Sequence, residues 1–417
     1  MRRIMAIWVL FSLCFVAPVS QANTTIQYMF GGPTKEAEIQ AEMARAFELA
    51  NPEIKVELLH TAGDYVVKFQ TMVAGGTPPD VLNVNSPSLN EFIASGVAQD
   101  ITAYVRRDPS VNVTDFFPST MKAVQHKEHY YALPLFTSPV AIFLNDDHLD
   151  ASGVVYHPNL SFADFATLAQ KLTRDLSGDN EVDRWGLERI TYWGRALKWA
   201  WSHGGDFWGI DDNFNVVPTF DHPGNIAALE FWQDLAYHRP VMGGNWWSGT
   251  ATMLDAPWSG SLWGMLRAAE ESSGLRWSVA HQPTGPAGKA STFVFQLMMI
   301  PASSSKHEAA YSFASWMASR AGQRLMQVDL RYGGVPTRRS VLTDPGYLAI
   351  DPRIKAFVEV ASYMRPLIYP LQSSAVSSAV SARVEPLLRG ELSPKVMAIQ
   401  VQEILQAIAK AARESRK

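Results

Sequence analysis

The chain has 417 residues, enough for two or three domains of ordinary size. Hydrophobic residues make up 47% and charged residues 18%, which supplies real cores and excludes wholesale disorder. Lys and Arg number 36 against 40 Asp and Glu, a balance with no basic excess for nucleic acid, and the single cysteine excludes a disulfide framework or a multi-cysteine metal site.

Arg2 and Arg3 precede an apolar run from Ile4 to Val19, broken by Ser12 and Pro18, and Ser20-Gln21-Ala22 follow. This order predicts a secretory signal peptide, residues 1–22, cleaved after Ala22. The run is short for a membrane span. Cys14 follows Leu13, where lipidation requires a small residue. The mature protein is expected in the periplasm without a cysteine, held together by core size alone.

Thr25 to Phe30 reads as a first strand ending in Gly31-Gly32-Pro33. Ile39, Met43, Phe47 and Ala50 recur at helical spacing, and Asn51-Pro52 stops that helix. Ile54, Val56 and Leu58 alternate with polar residues as a strand does. A short helix over Tyr65–Val73, a strand over Asp80–Val84 and a helix over Leu89–Ala94 follow. This alternation predicts an α/β unit with a parallel sheet between helices. Ser161–Leu172 and Asn225–Tyr237 read as helices in a middle region where eleven of the 13 tryptophans fall, between Trp185 and Trp277. Phe293–Ile300 is an apolar strand, Ser305 is expected to cap the next helix, and Arg331–Pro336 is a glycine turn. Ser393 and Pro394 open a C-terminal helix whose buried face is Met397, Val401, Ile404, Leu405 and Ile408.

No nucleophile elbow, phosphate-binding loop, dinucleotide fingerprint or His-Glu-x-x-His zinc motif occurs. His126 and His129 lack further ligands at a metal-site spacing and read as a solvated turn, so neither metal nor cofactor is expected. Asp146-Asp147 and Asp211-Asp212 are adjacent pairs, and adjacent carboxylates rarely face one substrate. Carboxylates distant in sequence keep a secreted carbohydrate-active enzyme open as an alternative.

Several stretches, in order along the whole mature chain, resemble one family. They are Ala46-Phe47-Glu48-Leu49-Ala50-Asn51-Pro52 with Ile54-Lys55-Val56, and Ala74-Gly75-Gly76-Thr77-Pro78-Pro79-Asp80-Val81. Tyr130-Tyr131-Ala132-Leu133-Pro134 then precedes Ala141-Ile142-Phe143-Leu144-Asn145, where the family often has tyrosine in place of Leu144. Ser304-Ser305-Lys306-His307-Glu308-Ala309-Ala310 and Gly333-Gly334-Val335-Pro336-Thr337-Arg338 complete the set. Together they resemble the extracellular solute-binding protein family 1, the maltose-binding-protein-like substrate-binding proteins of carbohydrate ABC transporters. One departure is Phe293-Val294-Phe295-Gln296 where the family has a glycine pair.

The resemblance implies a two-lobed periplasmic binding protein-like fold of type II. Each lobe would be a mostly parallel sheet flanked by helices, with the ligand cleft between them. The N-lobe would comprise residues 23–136 and 291–336, and the C-lobe 137–290 and 337–417. It implies no bond chemistry, and two partners: a carbohydrate ligand and the permease subunits of an ABC transporter. The protein would act as a monomer by lobe closure.

Trp258, in Asp255-Ala256-Pro257-Trp258-Ser259-Gly260, resembles the family's sugar-stacking tryptophan, whose indole would cover the C–H face of a pyranose. Trp246, Trp247 and Trp208 sit in glycine-flanked loops and are cleft or core candidates, with Asp206 as a hydroxyl acceptor or a cap. Strand ends aim at the cleft, which nominates Gly31, Gly32, Asn85 and Ser86. Ser138 lies at the first crossing, Asp64 and Tyr65 at the rim, and Gly334 and Arg338 at the last crossing. Arg338 would reach a ligand or pair with a local acid such as Asp344. The tryptophans point to a di- or oligosaccharide. A phosphate ester would need Arg or Lys such as Arg267 or Arg276. A polyamine would need acids such as Asp206, Asp211 and Asp255.

Overall fold

The computed structural model describes residues 24–255, 262–264, 266 and 274–415. The signal-peptide segment 1–22, Trp258 and Arg267 lie outside the described residues. Strand β1 (Thr24–Gly31) buries Ile26, Tyr28, Met29 and Phe30 completely, because helices cover both of its faces. The helix Thr34–Ala50 buries the stripe Ile39, Met43 and Phe47 and stops where the Asn51 N–H closes on the Phe47 carbonyl. Strand β2 (Ile54–Thr61) runs parallel to β1 in register from Thr24↔Ile54 to Gly31↔Thr61. The helix Tyr65–Ala74 leads to β3 (Val81–Asn85), which pairs with the other side of β1, and the helix Ser86–Ala94 follows directly.

A small hairpin of β4 (Gln125–His126) and β5 (His129–Tyr130) precedes β6 (Ala132–Pro139). The chain then leaves the first sheet and starts the second with β7 (Ile142–Asn145). The second unit adds β8 (Trp185–Leu187), the hairpin β9 (Trp208–Ile210) and β10 (Val216–Pro218), β11 (Ala251–Asp255) and β12 (Trp277–Ala280). It returns as β13 (Ser291–Met299) and adds the edge pieces β14 (Val335–Pro336) and β15 (Met364–Pro366).

The first sheet has the order β14-β6-β13-β3-β1-β2, with β15 beside β13. The second has the order β12-β7-β11-β8. Both sheets are mixed. Pairs β1–β2, β1–β3, β8–β11 and β13–β15 are parallel, whereas β13 runs antiparallel to β3 and β6, and β7 to β11 and β12. The strands that arrive from the other lobe need no helical crossover and enter against the grain. The result is a two-lobed α/β fold with helices flanking each sheet.

Alternation along β7 explains the packing of the second lobe. Ile142 and Leu144 face a helical core with Trp193, Trp199 and Trp232, while Phe143 faces the opposite layer with Trp246, Trp277 and Phe357. The buried cations Lys198 and Arg338 are each paired with an acid. Lys198 Nζ lies 2.8 Å from Asp255 Oδ2, and Arg338 Nη1 lies 3.1 Å from Asp115 Oδ2.

Caps at Ser161 and Ser393 are present as side-chain acceptors, the first as a full capping box with Asp164. Ser305 is not a cap. The helix is His307–Met317, with Lys306 at the cap position and no side-chain cap. The neighbouring Ser304 Oγ instead donates to the buried Asp80 carboxylate at 2.7 Å and accepts from the Lys306 N–H. Asp80 also accepts from Gln27 N and Lys306 Nζ, so satisfying this carboxylate sets the entry to the helix. The helix expected over Asn225–Tyr237 is Pro223–Gln233, closed by a π-helical turn over Asp234–His238.

Candidate ligand-binding cleft

A cavity of about 640 Å³ opens between the two sheets. The first lobe contributes Asn85 and Pro87, and β13 contributes Val294 and Gln296. The second lobe contributes Glu188, Arg189, Thr191, Tyr192 and Arg195, with Tyr369 following β15. Strand register accounts for the polar floor. Asn85 and Gln296 are directly opposite in the β3–β13 pair, so their side chains share a face. Ser138 is opposite Val294 in the β6–β13 pair and shares its face. Ser86 Oγ accepts from the Phe295 N–H at 3.3 Å and so ties the helix start to the same strand.

The end of β1 is built for close approach. A Cβ on Gly31 would lie 2.2 Å from Tyr65 Cδ1, so the Tyr65 ring packs on the bare backbone. Gly32 has φ +120°, and a Cβ there would strike the Glu36 carboxylate at 1.9 Å. Burial pushes the Tyr65 hydroxyl up to about 12, despite the favourable Asn85 N–H beside it. Burial also raises the Glu36 carboxyl, against the Tyr332 hydroxyl bonded to it and the nearby His60. His60 Nε2 sits 2.7 Å from the Gly32 carbonyl. Asp64 is placed beside this group, but its Oδ1 caps the Tyr65–Ala74 helix by accepting from the Val66 and Val67 N–H groups. Gly31, Gly32, Tyr65 and Asn85 are thus brought together, with Ser86 next to them, but of these five only Asn85 lines the larger cavity, and the space over the two glycines is filled by Tyr65 and Glu36.

A smaller cavity, about 340 Å³, holds Asp206 and Trp208. Trp201, His126, Phe214, Pro366 and Ile368 also line it. Asp206 is solvent-exposed on its cavity side, while the surrounding protein still desolvates its carboxyl. Burial raises its pKa, opposed by the Trp201 indole N–H, the Arg365 charge and the backbone N–H groups of Phe207 and Trp208. The Trp208 ring is mostly in the core, with its centroid 4.6 Å from that of Trp193. Between the cavities stands a polar bridge. The Tyr192 and Tyr369 hydroxyls are 2.6 Å apart, and the Tyr369 carbonyl accepts from Asn90 Nδ2 at 2.9 Å. The His126 and Phe214 rings, one from each lobe, meet at a 35° tilt with centroids 4.2 Å apart.

The remaining nominated residues are placed elsewhere. Trp246 is fully buried against Phe143 and Trp277, with Trp247 packed on its edge and 37% exposed, and neither lines either cavity. Gly334 lies at the crossing, where a Cβ would be 2.0 Å from the Thr137 carbonyl oxygen. Arg338 is 2% exposed and holds that crossing together. Its Nε donates to Ala318 O at 2.6 Å, Nη2 to Val111 O at 2.7 Å and Nη1 to Asp115. Its guanidinium also lies 4.0 Å from the Phe116 ring centroid. Its acid partner is not Asp344, which pairs with Arg320.

Sequence reasoning passed over Glu36, Glu188, Arg189, Thr191, Tyr192, Arg195 and Tyr369. Two signals were available. Gln296 is a polar residue inside an apolar strand, and Arg195 is a cation inside a tryptophan-rich helix. Among the described residues no group of three His, Cys, Asp or Glu is arranged to hold a metal ion, and no helix is long and apolar enough to cross a membrane.

Comparison with known proteins agrees with this architecture. The family described as bacterial extracellular solute-binding protein matches residues 31–324. A maltotriose-binding protein of Pyrococcus abyssi is 22% identical over 87% of this chain and 77% of its own length. The solved sugar-binding protein MalE of Xanthomonas citri superposes with a TM-score of 0.79 at 22% identity, covering 94% of this chain and 98% of that one. UgpB of Mycobacterium tuberculosis, solved with glycerophosphocholine, superposes with a TM-score of 0.75 at 19% identity, covering 94% and 99%. The family match spans well over half of the sequence, and the chain belongs to the bacterial extracellular solute-binding proteins, a family of binding proteins and not of enzymes.

Proposed function

We propose that this protein is the sugar-capturing component of an ABC importer. After removal of residues 1–22 it works in the periplasm, binds a di- or oligosaccharide between its lobes and presents it to the membrane permease. The observation that carries this reading is the cavity of about 640 Å³ bounded by both lobes. It combines flat aromatic surface from Tyr192 and Tyr369 with hydrogen-bonding groups from Asn85, Gln296, Thr191 and Glu188, and its size suits a small-molecule site. The maltotriose-binding relative and the sugar-binding MalE support the ligand class. The adjoining cavity at Trp201, Trp208 and Asp206 supports a ligand longer than one sugar ring.

The working cycle needs only differential affinity. We assign residues 23–136 with 291–336 to one lobe and 137–290 with 337–417 to the other, with β15 of the second reaching across to the first sheet beside β13. Ligand touching both lobes favours the closed state by the contacts that only closure provides. Native mass spectrometry of the mature protein with a saccharide library tests this. One unchanged saccharide per chain is expected. Conversion of an oligosaccharide into shorter products, or binding of no saccharide at all, overturns the reading.

A further inference from the structure

We infer that the ligand carries an anionic group, a carboxylate or a phosphate, and that Arg195 receives it in the larger cavity. This rests on the reading of that cavity as the saccharide site. Two arginines, Arg189 and Arg195, line it. Their situations differ. The Arg189 guanidinium is already held 2.7 Å from Glu385 Oε2. The half-buried Arg195 side chain has no hydrogen-bond or ion-pair partner among the described residues. Among the described residues its backbone alone is engaged, with its carbonyl accepting from Lys198 Nζ and its N–H donating to Tyr192 O.

The acids nearby do not serve Arg195. Glu188 Oε2 accepts from the Trp246 N–H at 2.7 Å, and Asp255 is taken by Lys198 and Gln282. Arg195 also sits in the first turn of the helix Trp193–Ser202, which has no acidic residue there and no side-chain cap. A cation in that turn works against the helix dipole. An anion arriving from the cavity would meet both the guanidinium fork and the positive helix end, and the fork pairs bidentately with carboxylate or phosphate oxygens. Neutral sugar hydroxyls gain less from that arrangement, because they accept without bringing the opposing charge.

Isothermal titration calorimetry on the mature protein tests the inference with matched pairs: galacturonate and digalacturonate against galactose and galactobiose, and glucose 6-phosphate and glycerol 3-phosphate against glucose and glycerol. At least one acidic member should bind tenfold or more tighter than its neutral counterpart, with affinity falling as salt rises. Arg195→Gln should remove that preference, and Arg195→Lys should restore part of it, with unchanged thermal midpoints showing that both variants fold. A uronate preference identifies a carboxylate, and a phosphate preference a phosphate ester. Tight binding of neutral saccharides that Arg195→Gln leaves unchanged overturns the inference but keeps the sugar-binding reading. Glycerol 3-phosphate binding with no saccharide binding keeps the anion and overturns the sugar. No acidic ligand bound overturns the inference.

Discussion

The buried pair Lys198–Asp255 offers the sharpest test of the packing argument. Lys198 is 0% exposed and Asp255 1% exposed, at 2.8 Å. At that distance the attraction is about 6 kcal/mol at an effective dielectric of about 20. Removing two charges from water costs several kcal/mol each, so the intact pair contributes little net stability. Breaking it is another matter. Lys198→Met keeps the stem in the Trp199-lined core but leaves the Asp255 carboxylate, among the described residues, with only Gln282 Nε2, 3.0 Å away. The expected loss is about 3–5 kcal/mol, and Asp255→Leu should lose a similar amount by stranding the ammonium. The double variant Lys198→Met/Asp255→Leu leaves neither charge at this site. It should lie within about 2 kcal/mol of the wild type, the remainder coming from Gln282 deprived of its acceptor. Urea unfolding at pH 7, followed by tryptophan fluorescence and far-UV circular dichroism, measures all four proteins. Simple addition of the two single losses in the double variant, or a Lys198→Met loss below about 1 kcal/mol, would refute the reasoning.

Four further outcomes are expected. Arg338→Ala should lower stability by about 3–5 kcal/mol in denaturant melts, and Arg338→Lys should recover little, because an ammonium cannot reach Ala318, Val111 and Asp115 together. Burial raises the Asp115 carboxyl, but Ser340 and Arg338 outweigh it and hold it below the ordinary carboxylate range. Its folded-state pKa is therefore below the unfolded value, so its stabilisation is present above that range and lost as pH falls through the folded value. Asp115→Asn should accordingly flatten the acid side of a thermal-midpoint profile between about pH 5 and pH 3. An unchanged slope would assign the acid sensitivity elsewhere. Gly334→Ala should cost about 1–3 kcal/mol in a thermal melt, since its Cβ meets a backbone oxygen with nowhere to move. Tyr192→Phe should weaken whichever saccharide binds by less than about tenfold in calorimetry, through loss of the 2.6 Å contact to Tyr369.

The first sheet was readable from the sequence because its strands and helices are periodic and bounded by glycine and proline. Ile39, Met43 and Phe47 form the buried stripe they suggested, and Asn51 ends the helix as expected. The cleft was less readable. Its floor joins Asn85 to Gln296, and its wall joins Tyr192 to Tyr369, contacts that no local pattern announces. Tryptophan identity is ambiguous for a physical reason. Trp193, Trp208, Trp232 and Trp246 all bury most of their area in cores, where an indole gains as much from neighbouring side chains as from a sugar face. Arg338 shows the same limit for charge. Asp344 is its nearest acid in sequence, yet Asp115, 223 residues away, is its partner.

The position of β13 governs when this protein can fold. It fills the gap between β3 and β6, and Ser86 contacts Phe295 across 209 residues of chain. A growing polypeptide that has not yet reached Ser291 has two open strand edges where its first sheet should be continuous. Neither edge is sealed until most of the sequence has been synthesised, so early collapse into a native lobe is blocked by topology and not by weak local preference. A nascent chain with this wiring stays extended and threadable for longer than one whose first hundred residues close on themselves. That delay suits the export that the signal peptide proposed over residues 1–22 implies.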